Sequence, residues 1–178
     1  CALPIWKFVY FGDDGHGMDE DGLHNAMRYG AQIREDLASL GKFGLGLKTA
    51  SSSVCLKYSL ISRTNLSSPL YKLTWDLEHV SDVNNWEMVD EPVSVDEQEV
   101  FEELCGNSGT LVVWSRCDRL LSKVYEEPGG TKEQAAIRYI SNKLIEHCAL
   151  IFHKYLNPSE TGYRTIKIIV NGIEVEYW

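Results

Sequence analysis

Two glycine-rich stretches, Asp13-Asp14-Gly15-His16-Gly17-Met18 and Gly41-Lys42-Phe43-Gly44-Leu45-Gly46-Leu47-Lys48-Thr49, constrain this chain more than any other feature. Glycine allows backbone paths that a side chain forbids and lets a ligand come close to the main chain. The first stretch fixes a carboxylate, Asp13, at a tight turn, where it can accept a hydrogen bond from an amino group such as the exocyclic nitrogen of adenine. Met18 adds a polarisable apolar surface for a flat ring. The second stretch sets three glycines just before a small-residue helix, whose first amides and dipole favour phosphate, and Lys42 and Lys48 add positive charge. Taken singly, each stretch also has a plainer reading, an acidic turn capping a helix or a glycine turn that lets a helix pack closely. In this order along one chain they suit a grip on a nucleotide at both ends.

Two other glycine motifs fit less well. The dinucleotide fingerprint runs G-x-G-x-x-G after a strand, whereas Gly41, Gly44 and Gly46 give the reverse order. A phosphate-binding G-x-x-x-x-G-K-[ST] loop needs its lysine one residue earlier than Lys48. On a helix one residue turns a side chain by about 100°, which takes the lysine away from the phosphates.

At 178 residues, with 44% hydrophobic and 24% charged residues, the chain has the composition of a globular protein and the length of one domain, taken here as residues 1–178. No apolar run is long enough to span a bilayer, so no membrane partner is expected and the cytoplasm is the expected location. A formal net charge of −9 argues against nucleic-acid binding through a broad basic face of this domain. The five cysteines are scattered without zinc or redox spacing, so no metal site is assigned to them.

Along the chain, residues 6–12 read as a buried aromatic strand delivering Asp13 to its end. Asp19-Glu20-Asp21 opens a helix carried by Leu23, Ala26 and Met27, and residues 31–40 read as a short helix or loop. A helix over residues 44–53 follows the second glycine motif. Residues 53–63 and 70–77 alternate as a hairpin, with a further short strand over residues 86–89 and an acidic helix over 96–104. Residues 110–114 are apolar enough for a sheet centre. Thr131 caps a long helix whose wide apolar face suits a sheet, and Asn171-Gly172 turns a last hairpin. Hairpins mixed with helices, without regular strand–helix alternation, predict an α+β fold: a two-layer sandwich of a mixed β-sheet covered by helices.

Together the two boxes resemble those of the GHKL family, which includes DNA gyrase B subunits, ninety-kilodalton heat-shock chaperones, histidine kinases and MutL proteins. Asp13-x-Gly15-x-Gly17 is similar to its D-x-G-x-G box and Gly41-x-x-Gly44-x-Gly46 to its G-x-x-G-x-G box. The local text looks most like the microrchidia-type branch and its bacterial relatives, and Ser108-Gly109-Thr110 resembles the family's later Gly-Thr element. The resemblance implies a Bergerat-type ATP-binding fold with ATP as ligand. Asp13 would take the adenine amino group, Thr110 would support it through water, and Gly15, Gly17 and Met18 would shape the adenine pocket. Residues 19–43 would include the ATP lid. Gly41, Lys42, Phe43, Gly44, Leu45, Gly46, Leu47 and Lys48 would form the phosphate side. Lid closure would drive dimerisation or another conformational change, with a nucleotide-dependent homodimer as partner.

Family members also carry an E-x-x-x-N helix before the first box, supplying the base that activates water and the asparagine that binds Mg2+. Residues 1–12 do not contain it, and Glu133, Asn142 and Glu146 lack its spacing. The expectation is therefore a fragment of a longer protein, whose other residues supply hydrolysis and Mg2+ in the intact ATPase. The alternative is a non-catalytic interaction or scaffold module that keeps the fold and has lost nucleotide binding or hydrolysis.

Overall fold

A computed structural model describes residues 8–29, 44–121, 123 and 125–177. The chain divides into two compact units, Cys1–Leu120 and Leu121–Trp178.

The first unit is built on a four-stranded sheet of order β1-β4-β2-β3, comprising β1 (Val9–Asp13), β2 (Lys57–Arg63), β3 (Tyr71–Asp76) and β4 (Gly109–Ser115). All three pairings are antiparallel, where a mixed sheet was expected; the α+β class is as expected. The apolar strand over residues 110–114 does take the centre, between β1 and β2. Period-two alternation sorts the side chains. Tyr58, Leu60, Leu73 and Trp75 face one core with Leu23 and Met27, while Ile61, Leu111 and Val113 face another with Phe101 and Cys105.

On the first face lie α1 (Glu20–Met27) and α2 (Gly46–Val54). Asp19 caps α1 by accepting the Gly22 amide at 2.9 Å, with Glu20 and Asp21 in the first turn, where the dipole favours acids. Trp114 Nε1 donates to Ser51 Oγ at 2.7 Å and ties α2 to β4. α3 (Leu77–Val83), which the sequence reading did not separate from the end of β3, starts because Asp76 accepts the amides of Glu78 and His79. On the second face lies α4 (Val95–Leu104), opened by a reciprocal cap between Ser94 and Glu97. Residues 86–89 contribute a single bridge, Val89 to Thr74, and no full strand.

The aromatic run before Asp13 does not make a buried strand. β1 is the sheet edge, and Phe8, Tyr10 and Phe11 all stay well exposed. Its N-terminal residues 6 and 7 and the stretch over residues 31–40 lie outside the described residues.

In the second unit α5 (Thr131–Ile151) and α6 (His153–Leu156) accompany the hairpin β5 (Ile169–Val170) and β6 (Ile173–Glu174). Asn171 and Gly172 both take positive φ, as a two-residue hairpin turn requires. Cys148, Ala149, Leu156 and Val175 make its small core. Thr131 is not the cap of α5. Gly130 holds that position without a side-chain bond, and the buried Glu133 carboxylate accepts the Gly129 amide at 2.6 Å.

Glu97 links α4 to the sheet through Lys72, at 2.8 Å. Burial alone would raise its carboxyl pKa, but the Lys72 ammonium and the Ser94 amide and hydroxyl outweigh it, and the net shift is below the ordinary 4.5. A carboxyl depressed in the folded state adds stability that is complete above its unfolded value and is lost as pH falls through the folded one. Glu97→Gln is therefore expected to flatten the decline of stability below pH ~4.5, as read by denaturant unfolding at stepped pH. An unchanged slope would show that Glu97 carries no part of it.

Candidate functional site

Antiparallel register places Asp13 of β1 directly opposite Thr110 of β4, and Thr110 opposite Ser62 of β2. Directly paired residues project from the same face of a sheet, with Cβ atoms ~5 Å apart. Asp13, Thr110 and Ser62 thus form one polar row across three strands. The row lies at one end of the face that also carries Leu60, Val112 and Trp114, where α1 and α2 pack.

The first glycine box is held against this row by backbone contacts. Gly15 N–H donates to Asp13 Oδ1 at 3.0 Å, closing a two-residue side-chain turn. A Cβ on Gly15 would stand 2.6 Å from that oxygen, so a side chain there would displace the Asp13 carboxylate from this position. Gly17 has φ +65°, and a Cβ would be driven into the Arg63 carbonyl oxygen. Gly109, at φ +143°, makes the same close approach to the Asp13 carbonyl. Ser108 Oγ donates to the Gly15 carbonyl at 2.9 Å, and Met18 N–H to Ser62 Oγ at 2.8 Å. The two loops that end β1 and begin β4 are locked together.

Arg63 secures the second of these loops from beneath. It is buried, lies over the Phe101 ring at 5.1 Å, and donates through Nη2 to Gly106 O at 2.8 Å and through Nε to Asn107 O at 3.2 Å. Two carbonyls of the turn that would otherwise lack donors are satisfied by one planar guanidinium. Neither Ser62 nor Arg63 was singled out by sequence reasoning. The available signal was polarity at two strand positions, 62 and 63, that continue a buried alternation. A polar side chain there needs a partner.

At the second glycine box, Gly44 has φ +61°, Leu45 is the N-cap of α2, and no side chain caps the helix. A Cβ built on Gly46 meets nothing within 4 Å, so a side chain at that one position would be accommodated. That combination fits a phosphate group, because uncapped amides at a helix start seek an anion. Leu47 turns inward against the core under α1 and α2. Gly41, Lys42 and Phe43 lie outside the described residues.

Lys48 is placed otherwise than a phosphate lysine. It is 1% exposed, and its Nζ donates to the Ala26 carbonyl at 2.7 Å, in the last turn of α1. Burial lowers its pKa from the ordinary value, while the carbonyl end of the helix supports the positive charge. The side chain joins the two helices that flank residues 30–43. Among the described residues, no group of three His, Cys, Asp or Glu side chains is placed to hold a metal ion. Among the described residues no helix is long and apolar enough to cross a membrane. The arrangement offers acceptors for a base amino group at one end and amide donors for phosphate at the other.

The family model of histidine kinase-, DNA gyrase B- and HSP90-like ATPases matches residues 7–110. That span includes both glycine boxes, all of the first unit's sheet through Thr110, and the Gly109-Thr110 step. Among curated proteins none matches the chain.

Gly17→Ala is expected to destabilise the first unit by at least about 1–2 kcal/mol for the left-handed backbone alone, with a further loss from displacing the Arg63 carbonyl. Denaturant unfolding measures it. Wild-type stability in this variant would show that the loops are not locked as described.

Proposed function

The chain belongs to the histidine kinase-, DNA gyrase B- and HSP90-like ATPases, with an ATP-binding domain of that type, and on this premise we propose how the site reads its nucleotide. The Asp13 carboxylate takes the adenine amino group. One of its oxygens already holds the Gly15 amide, which fixes the carboxylate plane and leaves the other oxygen as an acceptor. Thr110, opposite it in register, supports the base through a bridging water. Gly15 and Gly17 keep the turn thin enough for a base to reach Asp13, and Met18, packed at the rim of the core, offers a face to the ring.

The phosphates lie over the start of α2, on the amides following Gly44, where the N-cap Leu45 has no polar side chain to compete for them. ATP supplies its own negative charge to a helix end that lacks a side-chain cap. Lys42 is a candidate phosphate partner by sequence, while Lys48 acts as the tie between α1 and α2. In this reading residues 19–43 contain the lid, and its closure over bound nucleotide drives dimerisation or movement of a partner. The residues of this chain bind and orient the nucleotide. The base and the Mg2+ ligand of a hydrolysing enzyme are not assigned to any of them.

The observation that carries the proposal is the juxtaposition of Asp13 and Thr110 on the sheet face against which α2, with no side-chain bond from its N-cap Leu45, also packs. Binding of a fluorescent ATP analogue to the 178-residue chain tests it. Asp13→Asn replaces one acceptor by a donor and removes the charge, so affinity should fall roughly ten- to a hundredfold, the loss of one charge-assisted hydrogen bond. Equal affinity in the variant would remove Asp13 from the base site.

A further inference from the structure

One buried hydroxyl outside both glycine boxes controls a group proposed to read the base. Ser62 is fully buried, and three bonds meet at its Oγ. It accepts the Met18 amide at 2.8 Å, donates to the Gly109 carbonyl at 2.7 Å, and lies 3.1 Å from Thr110 Oγ1. A serine hydroxyl has one proton and two lone pairs. The Gly109 carbonyl can only accept, so it takes the proton. The Met18 amide can only donate, so it takes one lone pair. The Thr110 contact then closes in one sense, with Thr110 donating to the remaining lone pair.

We infer that Ser62 is a positioning residue that turns the Thr110 hydroxyl into a pure acceptor toward the site, and thereby selects an adenine edge over a 6-oxopurine edge. The inference rests on the adenine reading of Asp13 and Thr110 and extends it to a residue that touches no ligand.

The selection follows from proton bookkeeping. With its hydrogen held by Ser62, Thr110 shows only lone pairs outward, as does the second oxygen of Asp13. A water between Thr110 and the base must donate one hydrogen to Thr110, which leaves its other hydrogen for the base. Adenine matches this pattern, with a donor amino group facing Asp13 and an unprotonated ring nitrogen facing the water. Hypoxanthine and guanine present the reverse, a carbonyl oxygen facing the carboxylate and a protonated ring nitrogen facing the water hydrogen. Sites that fix a donor or acceptor in advance reject the mismatched ligand, because its polar atoms are left unpaired.

In Ser62→Ala the Thr110 hydroxyl is free to turn and donate, the water can reverse, and the 6-oxopurine edge loses one of its two penalties. Calorimetric titration of the 178-residue chain with ATP and with ITP measures the effect. The wild type should prefer ATP. Ser62→Ala should weaken ATP about three- to tenfold, the value of one hydrogen bond, with no matching loss for ITP, so the ATP-to-ITP ratio falls. In a Thr110→Val background the same change should leave the ratio unaltered, because Ser62 acts through Thr110.

Equal weakening of both nucleotides by Ser62→Ala would reduce Ser62 to a packing role and overturn the inference. So would an equal ratio change in the Thr110→Val background. Absence of ATP binding by the wild type would overturn the base-site reading and this inference together. Asp13-dependent ATP binding with an unaltered ratio in Ser62→Ala would overturn the inference alone. Should Ser62→Ala not fold, Ser62→Cys keeps the volume with a weaker acceptor and should shift the ratio in the same direction; an unshifted ratio in the folded cysteine variant is equally fatal.

Discussion

The antiparallel register of β4 against both of its neighbours is the constraint on which the site depends. It aligns Asp13, Thr110 and Ser62 in one row, and a slip of one residue would send Thr110 to the opposite face, toward α4. Register is set on one face by Val112 and Trp114 against the core under α1 and α2, and on the other by Leu111 and Val113 against Phe101. It is also set at the end of the strand. Gly109 lies so close to the Asp13 carbonyl that no other alignment would keep the two loops in contact. The apolar core therefore determines which polar groups share this row, although it contributes none of them.

A second constraint acts between the helices. Placing an ammonium in a nearly dry position is costly, and Lys48 offsets that cost with a short bond to Ala26 O at the negative end of the α1 dipole. Residues 28–45 separate the two helices along the chain, yet Lys48 joins their facing ends directly. A lysine that reached for phosphate from the same position would leave that carbonyl without its donor. The lysine of the second box thus holds α2 against α1.

Much of the fold was legible because each element carries its own local signal. Asp19 before an acidic first turn, the alternation through residues 53–63 and 70–77, the acidic run over 96–104, and Asn171-Gly172 all mark structure within a few residues of themselves. The misread features needed non-local information. Aromatic density made β1 look buried, but whether a strand is central or at an edge depends on its partners, and among the described residues β1 pairs only with β4. Thr131 has the chemistry of a cap, yet the chain reaches the helix with Gly130 in that position and lets Glu133 satisfy the amide before it. Asp13 and Thr110 could be named from their motifs. Ser62 could not, since its role exists only once three separate segments meet at its hydroxyl.

The spacing of the first box also acquires a physical reason. In Asp13-x-Gly15-x-Gly17 the two glycines do different things. Gly15 serves its neighbour two residues back, because the Asp13 carboxylate approaches the Gly15 amide and a Cβ would push against that oxygen. Gly17 is required by the sheet, since its backbone passes over the end of β2 in a left-handed conformation with no room above Arg63. The first glycine therefore orients the carboxylate, and the second returns the chain so that Met18 can bond Ser62 and α1 can start. A strand end that presents an oriented carboxylate and then folds back over its own sheet meets both conditions within the five residues of D-x-G-x-G.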